Sequence, residues 1–366
     1  MENENRTLIL SITAISVAAI LLVAFVWPGT GGLSFASNDR NLFDERLVEG
    51  VYFKVSPAVV EVYSDRKSGD SFSEVTSGSG FIIDKEGYIV TNNHVVQGAD
   101  RVRISFFDNR NAEAMVQGRS LANDLALLKV DPALVADIAP VELGDSSLVL
   151  PGQMAIIIGS PFGLKNSVSV GVSSGVNRAL PSSLGRFIPG MLQTDALISP
   201  GNSGGPMLNS AGQVIGVTTA IELSSAQIHQ RIGFAVPSNT LREILPQLKE
   251  PGIVSPAWLG TLSQGLTPLL VERLGLTVAQ GFYVIRVAPG SPAEQAGLVA
   301  SGIDDEGRPA GGGDIIVAVN GVPVAAGTDL TSQLNQRRPG EEVTLTVVRD
   351  GAEAQLTLIL GEWPGQ

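Results

Sequence analysis

The sequence predicts a mostly β protein, and composition and patterning both support this. Its 366 residues include 42 glycines and 21 prolines, and only 16% of the residues are charged. This composition suits a turn-rich β protein more than a helical bundle. Alternating apolar runs at 59–63 and 102–106 are typical of β-strands. The length is sufficient for two domains, each with a sizeable core.

An apolar segment precedes the predicted β domains. Residues 7–27 form a stretch of 21 uncharged, mostly apolar residues, which is enough for one transmembrane helix. A cleaved signal peptide is the alternative, although its apolar region would be unusually long and residues 34–36 are only a fair cleavage site. We therefore predict a cytoplasmic tail and transmembrane anchor over residues 1–27 and a flexible linker over 28–46.

Charge and cysteine content exclude several classes of function. The formal net charge of −12 argues against nucleic acid as a partner and against strong binding to anionic lipid. The chain has no cysteine, so disulfides and a thiol nucleophile are excluded. The acidic residues at 304–306 lack the full spacing of a calcium-binding EF-hand loop, and we interpret them as a solvated loop. No metal and no cofactor are predicted.

The glycine-rich run around Ser203 is the strongest functional motif. Residues 201–206 read Gly-Asn-Ser-Gly-Gly-Pro. Glycine permits a tight turn that aims the amides of Gly201 and Ser203 at one point. This predicts an oxyanion hole, with Asn202 as a further donor. A serine hydroxyl is a poor nucleophile alone, so it needs a base and a group that orients the base.

The chain has two histidines, and His94 has the context expected of that base. It follows a predicted strand on a turn, whereas His229 lies in a predicted loop and is expected to be solvated. Asp124 opens another apolar strand, where an aspartate can hold an imidazole in one tautomer. Each motif alone is more often structural, but the order His94, Asp124, Ser203 is that of chymotrypsin-like proteases.

Five motifs together resemble the Deg/HtrA family of serine proteases. They occupy residues 78–83, 91–96, 123–126, 159–163 and 193–206. The resemblance extends from about residue 47 to the end of the chain. It implies a serine endopeptidase with two six-stranded β-barrels, an active site between them and a C-terminal PDZ domain. Residues 120–122 depart from the family, which often has an acidic residue there, and leave the three catalytic residues intact.

The resemblance also divides the chain, with a protease domain over 47–249 and a PDZ domain over 257–366. A helix over 238–249 is predicted to close the second barrel, with Ser238 as its cap. In the second domain, a capping box at 291–294 predicts a short helix, with a second helix at 328–336. One tetrapeptide resembles the PDZ loop that binds a peptide carboxylate through successive amides. It comprises Trp258, Leu259, Gly260 and Thr261.

The residues just before the nucleophile form the floor of the specificity pocket in chymotrypsin-like folds. Leu197 and Ile198 occupy this stretch, where a charged substrate side chain would be desolvated and unpaired. We therefore predict cleavage after small or medium aliphatic residues, with Asp195 outside the pocket floor. Loops at 178–190 and 221–231 are predicted to be mobile, and in the family such loops gate activity.

The resemblance further implies assembly, location and partners. We expect a homotrimer, because residues 64–77 read as a short polar loop without the long insertion that closes a larger cage in some relatives. Phe43, Tyr52 and Phe53 are candidates for its interface, and capping of the barrel core is an equal alternative. Expected partners are misfolded extracytoplasmic proteins as substrates and peptide C-termini at the PDZ domain. A scaffold or chaperone, and a regulatory protease with one dedicated substrate, are the alternative functions.

Overall fold

The computed structural model describes residues 44–69, 71–181, 187–219, 232–325 and 329–364. The predicted membrane anchor lies outside these residues. Among the residues that are described, no helix is both long enough and apolar enough to cross a membrane. Residues 47–366 form one compact unit.

Two helices and six antiparallel strands form the first part of the chain. Their bounds are α1 Glu45–Val55, β1 Val59–Ser68, β2 Ser71–Ile82, β3 Tyr88–Thr91, α2 Asn93–Val96, β4 Arg101–Ser105, β5 Asn111–Ser120 and β6 Leu125–Lys129. The strands are arranged in the order β5-β4-β1-β2-β3-β6, and β5 also pairs with β6. This last pairing closes the sheet into a barrel.

A second barrel follows, and a helix ends it. Its elements are β7 Glu142–Leu143, β8 Met154–Gly159, β9 Ser167–Pro181, β10 Phe187–Thr194, β11 Pro206–Leu208, β12 Gln213–Thr219, β13 Gly233–Pro237 and α3 Ser238–Leu248. The order is β11-β8-β9-β10-β13-β12, with β11 also paired to β12, and β7 adds to β12 in parallel. The two six-stranded barrels predicted from the sequence are therefore confirmed.

The chain then crosses back to the first barrel before it enters the C-terminal domain. Strand β14, Gly252–Val254, pairs in parallel with β5. The remaining elements are β15 Ala257–Trp258, β16 Thr261–Gly265, α4 Pro268–Leu274, β17 Phe282–Val287, α5 Pro292–Gln295, β18 Ile315–Val319, β19 Val322–Pro323, α6 Asp329–Asn335, β20 Glu342–Arg349, β21 Ala352–Ile359 and β22 Gly361–Glu362. Their main sheet has the order β16-β17-β18-β20-β21, which leaves β16 at one edge.

Strands at the contact of the two barrels are buried on both faces. One face of the first barrel's strands packs into the barrel interior, including Val60, Val62, Ile82 and Leu128. The opposite face packs against residues of the second barrel and α3, including Phe81, Leu127, Ile158, Val217 and Leu241. This double burial explains why some strands read as unbroken apolar runs.

Two predicted loops are largely strands. Residues 64–68 and 71–77 belong to strands β1 and β2, with most side chains beyond residue 65 exposed, so no apolar face marks these strands in the sequence. Residues 178–181 and 187–190 continue β9 and β10. The third predicted loop, 221–231 with His229, lies outside the described residues.

The predicted helices are confirmed, although one predicted cap is wrong. In α3, Leu241, Ile244 and Leu248 are buried as expected. The Ser238 hydroxyl donates instead to the carbonyl oxygen of Gly144 at 2.8 Å, and so ties the helix to the barrel. In α5, the Ser291 hydroxyl accepts the backbone N–H of the residue three positions on, as a capping serine does.

Candidate active site

The structure brings His94 and Asp124 together in the first barrel. Nδ1 of His94 lies 2.7 Å from Oδ2 of Asp124, and the His94 backbone N–H donates to Oδ1 at 2.9 Å. The Thr219 hydroxyl, from the second barrel, donates to Oδ2 at 3.2 Å. With Nδ1 protonated toward this carboxylate, Nε2 of His94 is the acceptor nitrogen of the ring. Both barrels therefore hold the carboxylate that orients the histidine.

Ser203 lies in a turn of the second barrel that rests on the strand leading to His94. The carbonyl oxygen of Ser203 accepts the backbone N–H of Ser79 at 2.8 Å. The next residue, Gly204, has φ of 86°, and a Cβ there would lie 2.2 Å from Ser79 O and 2.3 Å from Thr91 Oγ1. Only glycine allows so close an approach. Because Thr91 ends β3 just before His94, this turn and the histidine share one support.

Hydrogen bonds fix the peptide orientations around Ser203. The Asn202 carbonyl accepts the Thr218 hydroxyl at 2.5 Å and the Gly205 N–H at 3.0 Å. Since N–H and C=O of a trans peptide point in opposite directions, the Ser203 N–H is directed to the other side. The Gly201 carbonyl accepts the Ser79 hydroxyl at 2.6 Å. The backbone N–H of Asn202 donates to Ser199 O at 2.9 Å, so it is engaged within the turn.

Ser79 and Thr218 are therefore supports of the turn that sequence reasoning did not single out. Each donates its hydroxyl to a backbone carbonyl of the Ser203 turn, and both are buried. A serine between two glycines and a threonine near the end of β12 are common in any β protein. Only the glycines on both sides of Ser79, which leave room for another segment to pack closely, could have indicated it.

The two residues proposed for the specificity pocket lie on the segment that leads into this turn. Leu197 is 55% exposed, and Ile198 packs on the core of the second barrel beside Gly233. The Asp195 carboxylate accepts the N–H of Val172 on β9 at 2.7 Å. The apolar side chains are thus presented where the segment turns toward Ser203, while the nearest carboxylate is occupied by a backbone donor.

The tetrapeptide in the C-terminal domain forms a turn before the edge strand β16. Trp258 ends β15, and Gly260 has φ of 91° with Ser291 directly behind it, where a Cβ would clash at 2.1 Å. The carbonyls of Leu259 and Gly260 accept N–H groups from the segment 288–293 at 2.9 and 2.8 Å. The amides of Gly260 and Thr261 consequently face the opposite side, away from that segment.

Comparison with known proteins agrees with this architecture. A trypsin-like peptidase domain family matches residues 78–217, and a PDZ domain family matches residues 247–360. The structure of an HtrA-type protease AlgW with decapeptide superimposes with a TM-score of 0.69 at 31% identity, and covers 87% of this chain and 99% of that one. The serine endoprotease from Yersinia pestis gives a TM-score of 0.63 at 28% identity, covering 86% of this chain and 98% of that one.

Curated relatives are also similar over most of the chain. A probable periplasmic serine endoprotease DegP-like from Marinomonas sp. is 40% identical over 78% of this chain, which spans 57% of that relative's length. Another DegP-like protein, from Hahella chejuensis, is 35% identical over 86% of this chain and 70% of its own length. Protease Do-like 1, chloroplastic, from Arabidopsis thaliana is 38% identical over 88% of this chain and 73% of its own. With this coverage and a single PDZ domain after its trypsin-like domain, the chain belongs to the Deg/HtrA family of serine endoproteases.

Proposed function

We propose that this chain hydrolyses peptide bonds with Ser203 as nucleophile, His94 as general base and Asp124 as the group that orients the histidine. The observation that carries the proposal is the 2.7 Å contact between His94 Nδ1 and Asp124 Oδ2, beside the turn that holds Ser203. This contact keeps the proton on Nδ1 and leaves Nε2 free to accept another.

The catalytic cycle follows from these roles. His94 Nε2 takes the proton of the Ser203 hydroxyl while Oγ attacks the carbonyl carbon of the substrate peptide. The amides of Gly201 and Ser203 stabilise the oxyanion, while the Asn202 amide is turned inward. The imidazolium then gives its proton to the leaving amine as the C–N bond breaks. Water, activated by the same histidine, hydrolyses the acyl-enzyme and restores Ser203.

Substrate selection is assigned to two surfaces. Leu197 and Ile198 favour small or medium aliphatic residues before the cleaved bond, because neither can pair with a buried charge. The turn at 258–261 and the edge strand β16 suit an extended peptide with a free C-terminal carboxylate. The carboxylate would accept hydrogen bonds from the amides of Gly260 and Thr261, which face away from the 288–293 segment. AlgW structures with bound tripeptide and decapeptide support peptide binding in this architecture.

The relatives described as periplasmic support a location outside the cytoplasm. We extend this to a single-pass anchor at residues 7–27, with the protease domain (47–249) and PDZ domain (257–366) on the extracytoplasmic side. A homotrimer that cleaves misfolded proteins there is the assembly and role we propose. A regulatory protease with one dedicated substrate remains the second candidate, supported by the PDZ domain.

Replacing the nucleophile tests the chemistry. Ser203→Ala should lower the rate of casein cleavage by at least about 10⁴-fold, because the attacking oxygen is lost. Ser210→Ala is a matched control, since Ser210 is an exposed serine just after β11. It should cleave casein at the parent rate. Cleavage by Ser203→Ala at a rate comparable to that of the control would refute the assignment.

A further inference from the structure

A buried carboxylate lies on the outer face of the first barrel, outside the catalytic residues described above. Glu61 of β1 is only 4% exposed, although its neighbours Val60 and Val62 fill the barrel interior and Glu61 points the other way. It stands opposite Ser79 on β2 and opposite Ser105 on β4. Directly opposite residues share one face of a sheet, so these three side chains form a polar row.

The loop between β8 and β9, residues 160–166, covers this row from the second barrel. At its start, the Ser160 N–H donates to Ser79 Oγ at 3.0 Å. At its end, Lys165 Nζ donates to Ser105 Oγ at 2.7 Å and lies 3.2 Å from Glu61 Oε2. The loop is therefore attached to the first barrel at both ends, and the attachment at its end is charged.

The charge of Glu61 influences its surroundings. Burial and the nearby Glu61 carboxylate raise the pKa of Tyr63 to about 12. Among the described residues, Lys165 is the cation that forms an ion pair with Glu61. A buried carboxylate is costly to desolvate unless it is paired, and the loop supplies the lysine that pairs with Glu61.

The polar row connects the ion pair to the turn at residues 201–203, which carries the proposed oxyanion donors and is called the oxyanion turn below. The Ser79 hydroxyl accepts from Ser160 at one side and donates to the Gly201 carbonyl at 2.6 Å on the other. The Ser79 N–H donates to Ser203 O. A shift of the 160–166 loop would thus move a group that directly holds the Gly201–Asn202 peptide.

We propose that Lys165 and Glu61 are positioning residues, an ion pair between the barrels that seats the 160–166 loop and so holds Ser79 and the oxyanion turn in register. The inference rests on the proposed function, since it concerns the same oxyanion turn. It assigns to the pair an effect on the transition state and none on the binding of substrate in its ground state.

Lys165→Met is the principal test, measured on the intact protein with a short peptide substrate. We expect kcat to fall about tenfold, less than the 10²–10³-fold of losing an oxyanion donor outright, with KM changed less than about twofold. Affinity for a peptide boronate, which mimics the tetrahedral intermediate, should fall in parallel with kcat. Lys165→Arg should recover at least about half of kcat, because it retains the charge.

Two further variants separate positioning from stability. Lys85→Met removes a lysine that also joins two segments, through Ala136 O and Ile138 O, but lies within the first barrel. It should lower the melting temperature and leave kcat unchanged. The double variant Glu61→Gln/Lys165→Met removes the unpaired buried charge, so its melting temperature should recover while kcat stays low.

The outcomes are distinct. Wild-type kcat and boronate affinity in Lys165→Met would overturn the positioning role, and so would recovery of kcat together with stability in the double variant. Neither result would touch the proposed function. Failure of that function would show instead as unimpaired hydrolysis by Ser203→Ala.

Discussion

Asp124 and Asp65 are both aspartates of the first barrel that face basic side chains, but their surroundings differ. Asp124 is held by neutral donors and a histidine that is 37% exposed. Asp65 is buried and accepts two hydrogen bonds from Arg101, both to Oδ2 at 2.9 and 2.7 Å, and two from Arg103 at 2.7 and 2.9 Å. Guanidinium groups do not titrate in proteins, whereas an imidazole does.

The surroundings of Asp124 suit proton transfer, whereas those of Asp65 suit the stability of the fold. In the proposed mechanism, the partner of Asp124 takes up and releases a proton and must remain accessible to substrate. At Asp65 every partner keeps its charge, and the arginines come from the adjacent strand β4. We therefore expect changes at Asp124 to affect rate and changes at Asp65 to affect stability.

The largest expected effect is that of Asp124→Asn, a fall in kcat of about 10⁴-fold. Asparagine retains an acceptor for the His94 N–H and tolerates the φ of 51°. Its amide would donate to Nδ1 of His94, which forces the ring proton onto Nε2 and removes the base. Peptide hydrolysis and thermal unfolding should be measured together. A tenfold or smaller loss of kcat, or gross unfolding, would break the comparison.

Asp65→Asn should lower the free energy of unfolding by about 2 kcal/mol, because Arg101 loses its charged partner and Arg103 keeps, among the described residues, only Glu74, at 3.6 Å. Since both arginines stay partly exposed, the cost should not reach that of a fully buried pair. Urea unfolding measures this difference, and kcat should change less than about twofold for sites that share no partner. A loss of activity without a loss of stability would contradict it.

The pH dependence of stability gives a sharper test of the same prediction. Hydrogen bonds from Arg103, and then those from Arg101, lower the pKa of Asp65 to about 2. A carboxyl whose pKa is lowered by folding stabilises the protein above its unfolded pKa, and this contribution is lost as the pH falls through the folded value. The stability advantage of the parent over Asp65→Asn should therefore be full at neutral pH and shrink between about pH 4 and pH 2. An advantage that persisted at pH 2 would argue against the ion pairs as its source.

The smallest expected effect is that of Arg103→Lys, about 0.5–1 kcal/mol of unfolding free energy. Lysine retains the charge but loses the two-pronged contact with Asp65 and the placement of the guanidinium 5.1 Å from the centre of the Tyr63 ring. Arg101 still holds the carboxylate in this variant. Urea unfolding beside Asp65→Asn gives the ranking, and a cost equal to or above that of Asp65→Asn would reverse it.

Asp124 and Glu61 also show how much of the structure can be predicted from the sequence. The roles proposed for His94, Asp124 and Ser203 could be predicted because the chemistry demands those residue types in turns, and the structure places His94 and Asp124 in contact. The alternation in β1 places Glu61 on the outer face of the barrel, because Val60 and Val62 face the interior. It cannot show that a loop of the other barrel covers that outward face, because this depends on residues about a hundred positions away.

Short or solvent-exposed strands cannot be predicted from the residue pattern, for a related reason. Strand β14, Gly-Ile-Val, has three residues and is too short to show a strand period, and it pairs with the free edge of β5. The hairpin over 64–77 carries polar side chains on both faces, so its pairing comes from the backbone, which a residue pattern does not reveal.

The pairing of β14 with β5 sets the length of the free connection between the first barrel and the C-terminal domain. Because Gly252–Val254 is fastened to the first barrel, the free span before β15 is residues 255–256, a reach of roughly 7 Å at full extension. The start of the domain therefore stays within this span of the first barrel. A peptide bound to the domain would be kept close to that barrel by the length of this connection alone.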